Sequence, residues 1–321
     1  PKDFETMMQL TYLTFTAPRR DDDAFASYKN RSKAELQNMD LNPSSSFSDS
    51  ITSTLYSKHP RTLRMKADMV DKMNYDKILS MYQDRFKDAS DFTFILVGNV
   101  DVEAVKPLIE SYLGSLPSIN RKETFKDNHI AMRKGICKNE FIRQQETPKV
   151  NNFICYSGTC KYNLRNEILM SMTDQLLNFI YTEKVREDEG GTYGVYPMGQ
   201  LIKYPTEKAV LQIFFNTAPD KQEKLIKIIY DEAEAFAKNG PDEASLNKVK
   251  EYMLKKHSED LKENGYWLNS IDEYLYTGID PVKDYEQIIN SITPKDVQQF
   301  ANELLKQKNQ ITVSMISPEK K

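Results

Sequence analysis

The chain aligns with itself. An offset of 219 residues lays VDKMNYDKILSMYQDRFKDASDFTFILVG, from Val70 to Gly98, over INSITPKDVQQFANELLKQKNQITVSMIS, from Ile289 to Ser317, without a gap. Met73 then falls on Ile292, Ile78 on Val297, Met81 on Phe300, Phe92 on Ile311 and Phe94 on Val313. A repeat of this length points to two copies of one folding unit. Asn74 and Thr293 are N-cap candidates, each before about a dozen residues of helical apolar spacing. Each helix leads through a polar turn, Asp88 to Asp91 or Gln307 to Gln310, into a β-favouring segment, FTFILV or ITVSMI. The register sets Pro1 opposite Asp220, so the stretch from about Glu123 to Pro219 has no counterpart in the first copy. The expectation is a truncated copy, short of roughly a hundred upstream residues, followed by one nearly complete domain of about 200 residues.

The rest of the chain reads as helices with strands between them. Phe4, Met7, Met8, Thr11, Tyr12 and Phe15 share one helix face that ends before Pro18. Asp22 or Asp23 is expected to cap a second helix, and Asn42-Pro43 opens a third with Phe47, Ile51 and Leu55. Val102 to Tyr112 forms another, closed by Gly114 and Pro117. Ser118 to about Gly135 is polar, basic and nearly patternless, as a connection would be. Beyond it come strand candidates around Glu140 to Arg143 and Asn152 to Gly158, an apolar helix from Ile168 to Ile180, and two strands in TYGVYPMG and AVLQIFFNT. Helices are expected at Asp220–Lys238, Glu243–Glu263 and Tyr266–Tyr276. The fold class is α+β: two related domains, each a mainly antiparallel sheet with helices packed on one face. The division is 1–118 for the truncated copy, 119–138 for the linker and 139–321 for the second copy.

Charge excludes one large class of partner. Lys plus Arg number 44 against 47 Asp plus Glu, a net charge of −3, which gives no broad positive field for a phosphate backbone. The most apolar stretches are far shorter than the roughly 20 residues of a membrane helix. Neither nucleic acid nor membrane insertion is expected. Three cysteines, Cys137, Cys155 and Cys160, are too few and too irregular for a disulfide framework or a zinc knuckle, and read as free buried thiols. PKDFETMMQL reads as the interior of a helix and carries no leader pattern itself, so the start looks cut.

Few residues carry chemistry. The three histidines, His59, His129 and His257, are scattered, with no i, i+4 pair, and each reads as a solvated structural residue. Neither a nucleophile elbow nor a phosphate-binding glycine loop occurs. Lys248, Lys250, Lys255 and Lys256 alternate with acids and read as a solvated ion-paired face. Phe214 and Phe215 read as core plus one exposed strand face, and Tyr266 and Trp267 as packing at a helix start. What remains is VREDEGGTYGV, Val185 to Val195, where a helix runs into paired glycines and then a strand. Gly190 and Gly191 permit a sharp turn, so Arg186 and Tyr193 can face one side. A guanidinium and a phenol held together suit a peptide carbonyl or the oxyanion developing from it. The alternative pairs Arg186 with Glu187 or Glu189 and packs Tyr193 at a sheet rim.

An Arg followed seven residues later by a Tyr, with acids between and a glycine turn before the Tyr, resembles the fourth-domain substrate motif of the pitrilysin/insulinase zinc peptidases. Asp260 to Ile271 (DLKENGYWLNSI), Asp91 to Asp101 (DFTFILVGNVD) and Tyr112 to Pro117 (YLGSLP) are similar to bacterial members, and the likeness covers nearly the whole chain. The resemblance implies four similar domains of the LuxS/mitochondrial-processing-peptidase-like fold, closing as two halves around a peptide. This chain would be the end of the third domain and all of the fourth. It implies a zinc site on a His-x-x-Glu-His helix of the first domain, a motif absent here, so the Zn2+ would be held by an N-terminal half outside this chain. Arg186 and Tyr193 would bind substrate and transition state without ligating metal. The implied function is the non-zinc half of a zinc metalloendopeptidase acting on peptides or unfolded protein, in the bacterial envelope or periplasm, with the cytoplasm as the other compartment. A non-catalytic peptide-binding or assembly subunit of the same fold is the alternative.

Overall fold

The computed structural model describes residues 3–190 and 192–318. They form two compact units: one holds the chain up to Leu41, Met65–Asn128 and Trp267–Asn269, the other Asn42–Arg64, His129–Tyr266 and Ser270 onward.

The first unit is helical: α1 (Phe4–Thr16), α2 (Asp22–Leu41), α4 (Ala67–Asp71), α5 (Tyr75–Phe86) and α6 (Val102–Tyr112), with α3 (Pro43–Leu55) lying in the second unit. The periodic faces read from the sequence are buried in part: Phe4, Met8 and Val105 form one cluster with Leu108 and Ile109, while Met7 and Val102 are exposed. Phe15 meets Phe86 and Phe92 edge-on, each at 4.9 Å between ring centres. Asn74 caps α5 by accepting the Lys77 N–H at 2.9 Å. The cap of α2 is Asp21, which accepts the Ala24 N–H at 2.9 Å, and not the expected Asp22 or Asp23.

One expectation of the first copy is not met. Residues 92–97, the FTFILV segment, pair with no other strand among the described residues. A strand exists by the hydrogen bonds of its neighbours, and the neighbours that flank the matching segment of the second copy have no counterpart here.

The second unit contains a five-stranded sheet in the order β1-β5-β2-β4-β3. β1 (Ile136–Ile142) runs parallel to β5 (Gln310–Ser317), while β2 (Lys149–Thr159), β3 (Val195–Ile202) and β4 (Lys208–Thr217) join antiparallel. On one face α7 (Leu164–Tyr181), α8 (Gln222–Asn239), α9 (Glu243–Asp260) and α12 (Pro294–Leu305) bury the main core, including Ile154, Leu176, Leu211, Leu225, Val249 and Val297. Between α9 and α12 lie α10 (Asn264–Thr277) and α11 (Tyr285–Ser291). α12 opens with a reciprocal capping box between Thr293 and Asp296. The helices on this face are those expected. α3 covers part of the other face, where Leu55 joins Phe153, Cys155, Val210, Ile311 and Val313. There Asn139 Nδ2 donates to Ser50 Oγ at 3.0 Å and Thr54 Oγ1 at 2.8 Å.

Candidate substrate-binding site

α7 is driven into the core by Ile168, Leu169, Met172 and Leu176, and its last residue, Tyr181, is fully buried. The chain then widens into a π-turn, Thr182–Glu187, in which the Asp188 N–H donates to the Glu183 carbonyl. Single π-turns recur at functional sites because the extra residue re-aims the side chains that follow. Val185 is fully buried and pins this turn, while the next residue, Arg186, turns outward. Gly190 closes the helical end, its N–H donating to the Arg186 carbonyl at 3.1 Å with φ +55°. A left-handed residue at that place favours glycine. Gly191 lies outside the described residues.

On the far arm the Thr192 hydroxyl donates to the Gly194 carbonyl at 3.0 Å and accepts the Gly194 N–H at 3.2 Å. Both backbone groups of Gly194 are thus held by one side chain, and Tyr193 between them is pushed out, 91% exposed. Val195 is buried again and starts β3. The two predicted residues therefore stand on the two arms of one turn, each next to or within two residues of a core anchor.

Arg186 and Tyr193 share neither a hydrogen bond nor a cation–ring contact. Arg186 donates instead to Glu187 at 3.3 Å, the pairing that formed half of the alternative reading. The other half fails, because Tyr193 is not packed against a sheet rim. The remaining acids of the turn are also paired, Asp188 with Lys184 at 3.6 Å and Glu189 with Lys224 at 2.5 Å. A second tether runs from Lys221 Nζ to the Glu189 carbonyl at 3.2 Å, tying the turn to the start of α8.

Three neighbours escaped the sequence reading: Thr192, Tyr196 and Asp174. Tyr196 folds back so that its hydroxyl lies 2.8 Å from where a Cβ on Gly194 would be. The half-buried Asp174 of α7 accepts the Gly199 N–H of β3 at 3.0 Å. Burial pushes its carboxyl up to about 6 despite that hydrogen bond. Pro197 lies mid-strand in β3, a signal of an edge strand that the sequence did carry; nothing local announces Asp174 or Thr192.

The other candidates are structural. His257 is buried, not solvated as expected: its ring stacks on Tyr285 at 4.4 Å and its Nδ1 lies 3.2 Å from Tyr266 Oη. Leu246, Val249, Met253 and His257 form one buried stripe of α9, so helical spacing places the imidazole inside. His59 accepts the Arg61 N–H in a loop. Cys155 is buried, Cys137 and Cys160 half-buried, and all three are free thiols. Burial pushes the Cys155 thiol up to about 12, which keeps it an inert thiol. Phe215 is core, while Phe214 leans on Phe153 at 4.9 Å on the opposite sheet face. Among the described residues no three His, Cys, Asp or Glu side chains converge as metal ligands. No helix among the described residues is long and apolar enough to cross a membrane.

Known proteins share the fold of this chain. A zinc protease PQQL-like protein of Arabidopsis thaliana is 24% identical over 294 residues, covering 84% of this chain and 30% of its own length. The periplasmic protease PqqL of Escherichia coli superposes with a TM-score of 0.82 at 18% identity, over 98% of this chain and 35% of its own. The ferredoxin protease FusC, solved as a mutant in complex with Arabidopsis ferredoxin, gives 0.79 at 14% identity over 99% of this chain and 35% of its own. The chain thus spans about a third of the length of the curated relatives it matches. A family described as the peptidase M16 inactive domain matches residues 72–253, more than half of the chain. This protein belongs to that M16 family and is a relative of the PqqL zinc proteases.

Proposed function

We propose that this chain is the substrate-holding, non-zinc part of a peptidase, in which Arg186 and Tyr193 donate to a main-chain carbonyl of the bound peptide. They also donate to the oxyanion that forms on it when groups outside this chain carry out hydrolysis. The observation that carries the reading is the turn itself: two outward-facing donors, each braced by a buried valine, on arms locked by Gly190 and Thr192. Such donors act by lying in place before charge develops, so their worth depends on the rigidity of the arms. The Arg186–Glu187 pair does not oppose this. An exposed ion pair is worth about 0–1 kcal/mol and is readily exchanged for a carbonyl.

The domain division goes with this reading: 1–118 as the end of a third peptidase domain, 119–138 as linker and 139–321 as the fourth. The zinc-bearing half of the same protein would be its partner, closing with it around the peptide. That the PqqL of Escherichia coli is periplasmic supports an envelope location, and that FusC was captured with a ferredoxin supports a protein or unfolded segment as substrate. In the full-length protein Tyr193→Phe is expected to lower kcat about a hundredfold to a thousandfold, with zinc content and melting temperature unchanged. Unaltered peptide hydrolysis would overturn the assignment. The family description "inactive domain" favours a second reading, a non-catalytic peptide-binding subunit. It would be supported by a full-length protein that binds peptide through Arg186 and Tyr193 without cleaving it.

A further inference from the structure

β3 ends the sheet, and it offers a peptide two distinct surfaces: its outer edge, by strand addition, and its uncovered face, by side-chain contact. The edge is spoilt. Backbone N–H groups of alternate residues point away from the partner in an antiparallel pair. Gly199 is one of these in β3, because its N–H donates sideways to Asp174 and not to β4. Pro197 has the same parity and has no N–H to offer. Two successive outward donors are therefore missing from the middle of the edge, which is how sheets close an edge to an incoming strand.

The face is different. Tyr196 and Met198 stand opposite Phe214 and Gln212 of β4, so all four side chains share one face. α3 covers that face farther along the sheet, at β5, where its Leu55 joins Ile311 and Val313. Ile202 at the end of β3 still packs against that cluster, but Tyr196 and Met198 are bare, 59% and 60% exposed. Gln200, Gln212 and Asn216 surround them, and the one charge that β3 and β4 place on this face is Lys208, opposite Ile202 at the far end of β3. Tyr196 also joins this face to the turn. Its ring occupies the space that a side chain at 194 would need, its hydroxyl has no hydrogen-bond partner among the described residues, and Gly194 adjoins Tyr193.

We infer that Tyr196 is a further substrate-positioning residue: its hydroxyl holds the backbone next to the carbonyl bound by Tyr193, and the following apolar side chain lies against Met198 and Phe214. The substrate class is an extended, uncharged-to-apolar peptide segment that crosses the face of β3 and does not add to its edge. This rests on the reading of Arg186 and Tyr193 as substrate donors. Gly194 is then a glycine for the sake of the Tyr196 ring and not of its own backbone.

The test uses the full-length protein and two internally quenched unstructured peptides, identical except for a Phe or a Ser at one position near the cleaved bond. Tyr196→Phe removes one neutral hydrogen bond and is expected to raise KM roughly two- to tenfold with kcat within twofold. Gly194→Ala keeps every polar group but displaces the ring, and is expected to raise KM similarly with an unchanged melting temperature. Met198→Ser should reduce the preference for the Phe peptide. Asp174→Ser, which frees the Gly199 N–H, should not lower KM. Tyr193→Phe is measured alongside. If it lowers kcat while the Tyr196, Gly194 and Met198 variants keep wild-type KM and preference, the inference falls and the donor reading stands. If Tyr193→Phe changes nothing, the donor reading itself has failed. A lower KM on Asp174→Ser would show strand addition at the edge and overturn the inference.

Discussion

Thr192 shows how little of the site's precision comes from the donors themselves. Its hydroxyl holds the N–H and the carbonyl of Gly194 at once, so the direction of Tyr193 depends on a side chain that touches no substrate. Thr192→Val keeps the branched shape and removes the hydroxyl. In the full-length protein it is expected to lower kcat about tenfold, since a small displacement of a positioned group costs a comparable factor. The melting temperature should move little, because a neutral hydrogen bond contributes only about 1 kcal/mol; a Thr192→Ser variant should restore the rate. A second residue-scale prediction concerns pH. Burial pushes the Glu167 carboxyl up to about 7, and the neighbouring Glu273 adds to the rise while Tyr162 opposes it. Tyr162 Oη also donates to Glu273 at 2.9 Å. A carboxyl raised above its ordinary value binds its proton more tightly in the folded protein. Its contribution is fully present below about pH 4.5 and is lost as pH rises through about 7. Glu167→Gln should therefore gain melting temperature relative to wild type between pH 5 and pH 8; a difference that does not change with pH would contradict this.

Two elements with one sequence pattern meet opposite fates. Ile78 and Met81 on α5 match Val297 and Phe300 on α12, yet Val297 is fully buried whereas Ile78 is 43% and Met81 63% exposed. The difference lies in what surrounds the helix, since α12 packs against α7, α8 and β2. Val297→Ala should accordingly destabilise its unit by about 1–3 kcal/mol in chemical denaturation. Ile78→Ala in this 321-residue chain should stay within about 0.5 kcal/mol, and should cost more in the full-length protein if upstream strands complete the first copy. Equal costs in the two lengths of protein would count against the proposed truncated domain. The same pair shows what could be read in advance. Asn74 and Thr293 were legible as caps because a cap is a contact across three residues. β5 was legible from a run of β-favouring residues after a polar turn, although the same pattern at residues 92–97 finds no partner strand among the described residues. The missing pairing of residues 92–97, the crossing of α3 to the second unit and the closed edge of β3 depend on partners far along the chain, which no local period reports. His257 was legible in its stripe on α9 but hidden by the charges of its immediate neighbours.

At the scale of the molecule the proposed function assigns holding a peptide and cutting it to different parts of the full-length protein. Among the described residues the turn that presents Arg186 and Tyr193 is braced by Val185, Val195, Thr192 and the lysines at the start of α8, Lys221 and Lys224. The histidines cannot substitute for a zinc site, since His257 is stacked and hydrogen-bonded and no third ligand approaches it among the described residues. A structural or catalytic zinc requires three or four side chains already converging, and its binding free energy falls steeply without them. After dialysis against micromolar zinc the 321-residue chain is expected to retain far less than one equivalent, and the full-length protein about one. Stripping zinc from the full-length protein with a chelator should abolish hydrolysis. It should leave peptide binding that weakens with Arg186→Ala and Tyr193→Phe, measured by fluorescence anisotropy on the zinc-free protein. A full equivalent of zinc held by the short chain, or peptide binding that vanishes with the metal and ignores both substitutions, would mean that holding and cutting are not divided in this way.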